Sequence, residues 1–295
     1  MAEQALWSKI TLMRRSILLL LILFLAAPVS ATPDSSRRLM SQGQSISENN
    51  LRAKVKQARI VFVGEEHGNK SHHKFQRDIL AMMSDSGPAV LGVEYFPRSL
   101  QPILDRFNSG KISLKDFPKA IQWSKVWGHP YSSYEPLFRL CREKNIRVVA
   151  LNAERSVVKR TRRKGFKDGF SVEELLMLPR IDLNNKAHKE RVYKALLKVH
   201  PLPEAILHRF YQAFTLWDET MAESTAQIFL QDRRKGLKVL VVAGRAHISH
   251  STGIPDRVKR RIALDRLTVL CDSSGKAGPE VADVVYFSKP KAKLY

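Results

Sequence analysis

Cysteine is scarce in this chain of 295 residues, which contains only Cys141 and Cys271. Two cysteines cannot form a disulfide framework, and neither lies in a spacing typical of metal ligands. Cys141 falls in a helical pattern and Cys271 ends a strand-like apolar run, so we expect two buried free thiols. No cysteine follows the amino-terminal apolar run, which leaves no acceptor there for a lipid.

Long apolar runs are absent after the amino terminus. There, Arg14 and Arg15 precede an apolar run at 17–27, and the small residues Val29 and Ala31 surround a plausible cleavage point. This pattern is typical of a signal peptide, and the run is shorter than the ~20 residues that a spanning helix needs. We therefore expect export to the periplasm or the cell envelope. An uncleaved amino-terminal anchor is the alternative.

Acidic residues are few, because 28 Asp and Glu face 50 Lys and Arg and leave a formal net charge of +22. A chain this basic is expected to meet an anionic partner, such as an anionic membrane surface or a ligand that bears propionates. Nucleic acid would also suit the charge, but export argues against it. Alternatively, the basic clusters at 155–167 and 257–261 are solvated faces without a dedicated partner.

Six short β-branched runs, each bounded by turn residues, predict buried strands. They cover residues 59–63, 89–95, 146–151, 238–243, 267–271 and 284–287. Helical spacing fills most of the intervals, which predicts an α/β fold with a mostly parallel, doubly wound sheet. The long interval between the third and fourth strands contains helical patterns, so we expect a helical insertion at about 155–232.

Composition divides the chain into four parts. Residues 1–31 form the predicted signal peptide, 32–50 a tether, 51–288 the α/β domain, and 289–295 a basic tail. One α/β domain with an insertion fits a mature chain of this length. The sequence does not set the oligomeric state, and a homodimer is compatible with it.

Two strands run directly into the same pattern, Gly-x-x-His, at residues 64–67 and 244–247. Loops that follow parallel strands meet at the carboxyl edge of the sheet, where open α/β folds bind ligands. The second predicted strand contributes Glu94 to that edge. We therefore predict that His67, Glu94 and His247 converge there.

Two uses of these side chains compete. Two neutral imidazoles and a carboxylate suit a divalent metal held by His67, His247 and Glu94, with Glu65 or Glu66 as the base that activates bound water. That protein would be a metal-dependent hydrolase of the protease or esterase kind. In the other use, a histidine or tyrosine ligates haem iron while basic residues pair with the propionates. A basic surface-adhesion protein is a third class.

A loop rich in aromatic residues, at 123–134, offers ligands for haem. It is punctuated by Gly and Pro and contains Trp127. From its composition we predict His129, Tyr131 and Tyr134 as haem-binding residues. The alternative is a packed loop that its aromatic side chains anchor.

The remaining histidines carry no predicted role. His72 and His73 are consecutive on a helix and cannot face the same way, so at least one is expected to be exposed. Four others lack a strand end before them and are expected at the surface: His188, His200, His208 and His250.

Several sequence blocks, taken in order, carry a family resemblance. They are IVFVGEEH (60–67), Gln76, GVEYF (92–96), Trp127, VVALNAER (148–155), WDETMA (217–222) and VVAGRAH (241–247) with Gly253, Ile254 and Pro255. Together they resemble the ChaN-type haem-binding uptake family, part of the Tiki, TraB and erythromycin-esterase-like superfamily. The blocks span nearly all of the mature domain.

The resemblance implies an exported haem-binding protein in haem or iron uptake. In Tiki-like relatives, the paired Gly-x-x-His motifs and the position of Glu94 are associated with metal-dependent hydrolysis, which keeps the hydrolase open. Gln76 and Asp218 match the family pattern and, with Asn152, are expected to orient the edge cluster. ChaN-type members are often lipoproteins, and this chain departs from them because it lacks the lipid-accepting cysteine.

Overall fold

Eight strands form one sheet at the centre of the protein, whose computed structural model describes residues 38–198 and 201–288. The strands are β1 (Arg38–Ser41), β2 (Gln44–Ser45), β3 (Ile60–Glu65), β4 (Ala89–Pro97), β5 (Arg147–Asn152), β6 (Lys238–Gly244), β7 (Arg266–Asp272) and β8 (Val284–Phe287). Their order across the sheet is β2-β1-β8-β7-β3-β6-β4-β5. The six strands predicted from the sequence are β3 to β8.

Strands β3 to β8 are all parallel to one another, whereas β1 is antiparallel to β8 and to β2. Every residue of β3 and β6 is buried. Continuous apolar runs of this kind are typical of parallel strands that helices cover on both faces. The predicted mostly parallel α/β sheet is therefore confirmed.

Twelve α-helices surround the sheet in the described part of the chain. They are α1 (Glu48–Gln57), α2 (Lys70–Ser84), α3 (Gln101–Asn108), α4 (Phe117–Ala120), α5 (Trp123–Val126), α6 (Glu135–Glu143), α7 (Arg155–Gly169), α8 (Val172–Leu176), α9 (Lys186–Leu197), α10 (Glu204–Gln231), α11 (Arg245–Ile248) and α12 (Ile254–Arg261). Helices α7 to α10 lie between β5 and β6, which confirms the helical insertion.

Residues 38–50 differ from the predicted tether. Strand β1 pairs with β8, and its Leu39 is buried in the core. The Ser41 hydroxyl donates to the Asp283 carbonyl at 2.8 Å, and helix α1 begins at Glu48 after the Ser47 cap. Strand β1 lies between β2 and β8, and only its alternate side chains Leu39 and Ser41 are buried. Its Ser- and Arg-rich composition therefore contains no apolar run that would predict a strand.

Cys141 and Cys271 are both buried and free, as the sequence predicts. The predicted signal peptide, the start of the predicted tether and the basic tail lie outside the described residues. Within the described ranges, no helix is both long and apolar enough to cross a membrane.

Neighbouring strands β3, β6 and β4 bring the predicted site together. The register pairs Glu65, at the end of β3, with Gly244, at the end of β6. Strand β4 flanks β6 on its other side and contains Glu94. Both Gly-x-x-His segments and the glutamate therefore leave adjacent strands at one edge of the sheet.

Candidate functional site

Glu65 is fully buried at the centre of a hydrogen-bond network. Its Oε1 lies 2.8 Å from Nδ1 of His67, and its Oε2 accepts hydrogen bonds from Gln76 at 2.6 Å and from the Tyr95 hydroxyl at 3.1 Å. Burial by itself would raise the pKa of Glu65, but the bonds and charges of His67 and His73 hold it well below its usual value. Glu65 thus orients His67, and it is too buried to serve as the predicted base.

His67 lies at the mouth of this network, with 35% of its side chain exposed. Burial opposes a charge on the ring, but Glu65 and Glu94 outweigh it and raise the pKa of His67. The ring packs edge-on against Trp127 at 4.8 Å between centroids and lies 5.7 Å from the His129 ring. The predicted aromatic loop therefore reaches the carboxyl edge beside His67.

His247 repeats the arrangement with a carboxylate from the helical insertion. Its Nδ1 lies 2.6 Å from Oδ1 of Asp218, which is fully buried on α10. Burial would raise the pKa of Asp218, but His247, His188 and Arg257 hold it low. The second oxygen of Asp218 lies 3.0 Å from Nε2 of His188. Each Gly-x-x-His histidine thus has its own buried, ionised carboxylate.

Glu94 lies between the two histidines. Its Oε2 accepts the Gly244 N–H at 2.6 Å, and its Oε1 lies 3.6 Å from Nε2 of His247. A Cβ on Gly244 would lie 2.9 Å from Nε2 of His67 and 3.5 Å from Oε2 of Glu94, so only glycine leaves room for this approach. Asn152 donates to the Glu94 carbonyl at 2.9 Å and so holds its backbone.

Glu66, the other predicted base, belongs to a separate cluster. It pairs with Arg245 at 2.9 Å, and it accepts the backbone N–H of Ser273 at 3.1 Å together with the Ser273 hydroxyl. Burial would raise the pKa of Glu66, but Ser273, His72 and Arg245 lower it. Its oxygens are occupied by these partners, so nothing in the geometry assigns it to the histidine pair.

The three predicted metal ligands, His67, His247 and Glu94, lie together without forming a ligand set. Within residues 38–198 and 201–288, no group of three or more His, Cys, Asp or Glu side chains is placed to hold a metal ion. Both Nδ1 atoms are bound to carboxylates, and Oε2 of Glu94 is held by a backbone N–H. Those bonds fix the side chains in place around one another, and the metal-binding role of His67, His247 and Glu94 stays a prediction.

Tyr134 is fully buried, whereas Tyr131 is half-buried and only its hydroxyl is shielded from solvent. The Tyr134 hydroxyl accepts the Gly68 N–H at 3.1 Å and donates to Glu65 at 3.4 Å. The Tyr131 ring stacks on Phe138, and its buried hydroxyl has no hydrogen-bond partner among the described residues. Burial raises the pKa of both tyrosines, which disfavours the phenolate that binds iron. His129 and Tyr131 are both partly exposed, and of these two His129 lies beside His67, with ring centroids 5.7 Å apart.

His72, His73 and His188 are all buried, although His188 and at least one of the other two were expected to be exposed. His72 and His73 both lie in the core side of α2, where His72 contacts Ser288 and His73 contacts the Ser133 carbonyl. His188 contacts Asp218. These rings make polar contacts with residues that are distant in the sequence. A local sequence pattern cannot predict such contacts.

A cavity of about 560 Å³ opens beside His247 and was not predicted. Helices α7, α9 and α10 line it with seven apolar residues and three basic ones. The apolar residues are Val158, Val192, Leu196, Phe210, Ala213, Phe214 and Trp217, and the basic ones are Arg155, Lys159 and Arg162. Helical spacing could have revealed one wall, because residues 155, 158, 159 and 162 share a helix face.

Two contacts join this cavity to the histidine site. Phe214, in the cavity wall, stacks on the His247 ring at 4.5 Å between centroids. Arg155, at the rim, donates to the Lys125 carbonyl at 2.8 Å and to the Val126 carbonyl, which directly precede Trp127. The cavity therefore adjoins His247 through its Phe214 wall and the aromatic loop through Arg155.

These features define an α/β protein whose parallel sheet presents two carboxylate-bound histidines at its carboxyl edge, beside a basic, apolar cavity in a helical insertion. Residues 51–258 match the family described as haem-binding uptake, Tiki superfamily, ChaN. The match covers more than half of the chain, so this protein belongs to that family.

Two individual proteins are similar over most of the chain. The solved structure of cofacial heme binding to ChaN of Campylobacter jejuni has a TM-score of 0.69 and 19% sequence identity, and the match covers 87% of this chain and 98% of that one. Protein RETICULATA-RELATED 5, chloroplastic, of Arabidopsis thaliana is 24% identical over 259 residues, which cover 80% of this chain and 35% of the relative. This chain therefore spans about a third of that curated relative.

Proposed function

We propose that this protein binds haem at the carboxyl edge of its sheet, with the porphyrin in the cavity beside His247. The observation that carries the proposal is the combination of apolar walls and a basic rim in that cavity. Haem presents a flat apolar ring and two propionates, so it needs both kinds of surface. Membership of the haem-binding uptake family supports the same ligand.

The size and chemistry of the cavity suit such a ligand. Its volume of about 560 Å³ falls within the range of roughly 300–1,000 Å³ that is common for small-molecule sites. Phe210, Phe214 and Trp217 supply aromatic faces, and Lys159 and Arg162 supply positive charge for the propionates. Charge-assisted hydrogen bonds of this kind are stronger than neutral ones.

His129 is the side chain that we propose as the iron ligand. The cavity walls contain no histidine, tyrosine, cysteine or methionine among the described lining residues. Arg155 connects the cavity rim to the loop that carries His129. When bound, haem would supply an iron centre that an imidazole such as that of His129 could ligate. Nearby, Glu65 orients His67 and Asp218 orients His247.

An absorbance titration with haemin tests the proposal. We expect a saturable Soret change, and we expect the double change Lys159→Ala and Arg162→Ala to weaken binding by more than about tenfold, since even one charged hydrogen bond contributes roughly 1.5–3 kcal/mol. The control is Arg163→Ala with Lys164→Ala, two exposed basic residues of the same helix outside the cavity.

A second set of variants locates the iron. His129→Ala is expected to change the position of the Soret band as well as the affinity, because it removes an axial ligand. Trp217→Ala should weaken binding without that spectral change. This site would be refuted if haemin failed to bind below tens of micromolar. It would also be refuted if the variant Lys159→Ala with Arg162→Ala bound haemin as tightly as the control variant.

We also propose that the protein acts outside the cytoplasm, in haem or iron uptake. The amino-terminal signal-peptide pattern and the family support this role. Fractionation of the producing cells, with amino-terminal sequencing of the mature chain, tests it. A chain that keeps Met1 and stays with the cytoplasmic fraction would contradict export.

A hydrolase is the second candidate, and the paired histidines support it. Each imidazole is oriented through Nδ1 by a buried carboxylate, at 2.8 Å for His67 and 2.6 Å for His247. This is the arrangement that a general base needs, and it can work with or without a metal. Esterase assays with His67→Ala test whether the protein is a hydrolase. A chelator then distinguishes a metal-dependent hydrolase from a metal-independent one. Turnover that is indifferent to His67→Ala would exclude both.

A further inference from the structure

The helical insertion carries an apolar surface that nothing in the described protein covers. Among the described residues, four of the six exposed large hydrophobic side chains lie within residues 172–177. Val172 is 69% exposed, Leu176 79% and Met177 86%, and Leu175 joins them at 36%. We call residues 172–177 the apolar tip. Exposed apolar residues gathered in this way mark an interaction site.

The shape of the apolar tip is fixed by local bonds. Ser171 and Glu174 form a capping box, in which the Ser171 hydroxyl accepts the Glu174 N–H and the Glu174 carboxylate accepts the Ser171 N–H. Glu174 also pairs with Arg160 on α7 at 2.7 Å. The exposure of the four apolar side chains is therefore a property of a defined helix, α8, and not of a frayed end.

Exposed basic residues lie beside the apolar tip. The last turns of α7 expose Arg163, Lys164 and Lys167, and the Arg160 to Glu174 pair brings the apolar tip alongside this helix. The nearby carboxylates are Asp168, Glu173 and Glu174, which pairs with Arg160. Glu154 and the cation Arg98 also line a cavity beside Met177. The surface thus combines projecting apolar side chains with net positive charge, within a chain whose formal net charge is +22.

We propose that the apolar tip and the basic end of α7 dock this protein onto an anionic lipid bilayer. The apolar side chains would enter the boundary between headgroups and acyl chains, while the basic side chains would stay among the anionic headgroups. A second copy of this chain fits the surface poorly, because it would bring the same positive charge face to face. The proposal is independent of haem binding.

A local fluorescent probe on the full chain tests the docking. Leu176→Cys is labelled with an environment-sensitive nitrobenzoxadiazole group, while Cys141 and Cys271 are buried and should react slowly. Emission should shift to the blue with vesicles of phosphatidylcholine mixed with phosphatidylglycerol, but not with phosphatidylcholine alone. The control label is Leu230→Cys, at a side chain 50% exposed near the end of α10. It should show no shift.

Affinity variants separate the two parts of the surface. With the probe at Leu176→Cys, Met177→Ser should weaken binding roughly tenfold, the effect of one buried apolar side chain. Lys164→Gln and Lys167→Gln should each weaken it about fivefold and reduce its salt dependence. The amino-terminal apolar segment is common to all these variants, and the probe reports only on the apolar tip.

Two outcomes would overturn the proposal. Emission that stays unchanged on anionic vesicles would show that the apolar tip does not enter a bilayer. A shift that depends on protein concentration and needs no lipid would assign the surface to self-association instead, and sedimentation velocity would then show the oligomer.

Discussion

Nδ1 of His247 donates a hydrogen bond to the buried carboxylate of Asp218 at 2.6 Å. The two residues are 29 positions apart, one in the turn after β6 and the other on the long helix α10 of the insertion. This contact ties the insertion to the sheet edge, and it fixes the orientation of one histidine of the pair. His67 and Glu65 form the matching contact from within a single turn.

The pair of Asp218 and His247 predicts a pH-dependent loss of stability. Asp218→Asn leaves buried cationic partners without their anion, which should lower the free energy of unfolding by about 3 kcal/mol or more. Burial opposes protonation of His247, but Glu94 and Asp218 raise its pKa in the folded protein. The stabilisation is then full below the unfolded pKa of about 6.5 and is lost as pH rises through the folded value.

The cost of Asp218→Asn should therefore be largest in mild acid and should shrink above neutrality. Urea unfolding of the wild type and of Asp218→Asn at several pH values measures this cost. An NMR titration of the His247 ring should show a lower pKa in the variant. A cost that grows with rising pH would contradict the assigned ion pair.

Glu65→Gln should destabilise the protein far more than Glu66→Gln. Glu65 is fully buried and accepts bonds from His67, Gln76 and Tyr95, so an amide at this position would place a donor against donors. We expect a loss of about 3 kcal/mol. Glu66 is partly exposed, and its removal should cost no more than about 1 kcal/mol. Guanidinium unfolding compares them, and equal losses would argue against the central role of Glu65.

Gly244→Ala should disturb His67 without straining the backbone. The dihedral angles of Gly244, φ −58° and ψ 144°, are open to alanine, but its Cβ would lie 2.9 Å from Nε2 of His67. We expect a loss of about 1–3 kcal/mol and a changed His67 titration by NMR. Gly169→Ala is the control, because its nearest contact is at 3.4 Å. An unchanged His67 signal in Gly244→Ala would contradict the close approach.

Tyr131→Phe should stabilise the protein slightly, by about 1 kcal/mol, because it removes a buried hydroxyl without a partner among the described residues. Tyr134→Phe should cost about 1 kcal/mol, because that hydroxyl contacts the Gly68 N–H and Glu65. Thermal unfolding measures both. Neither change should alter the Soret spectrum, whereas a shift in Tyr131→Phe would return that tyrosine to the set of iron ligands.

Much of the architecture was readable from periodicity. Apolar β-branched runs predicted the six parallel strands, because a strand buried on both faces needs such a run. The Gly-x-x-His repeats predicted which edge would carry ionisable side chains. The short strand β1 was missed, since a four-residue strand with one buried leucine has no strong pattern.

The partners of the site residues were less readable. Gln76 and Asp218 were expected to orient the edge cluster, but which oxygen or nitrogen each contacts depends on how α2 and α10 pack. The cavity is built from three helices of the insertion, so its walls come together only in three dimensions. The roles of Tyr131 and Tyr134 could not be predicted either, because composition does not distinguish a tyrosine that packs in the core from one that binds a ligand.

The sequence by itself determined the order of strands and helices, the basic charge, and the presence of a histidine at the end of β3 and after β6. These follow from local propensity and from the period of apolar residues, which neighbouring residues define. The tertiary structure alone decided that Glu65 and Asp218 each hold one of those histidines, that the Tyr131 hydroxyl is buried, and that the apolar tip is exposed. Those outcomes depend on distances between residues far apart in the chain, and packing sets such distances.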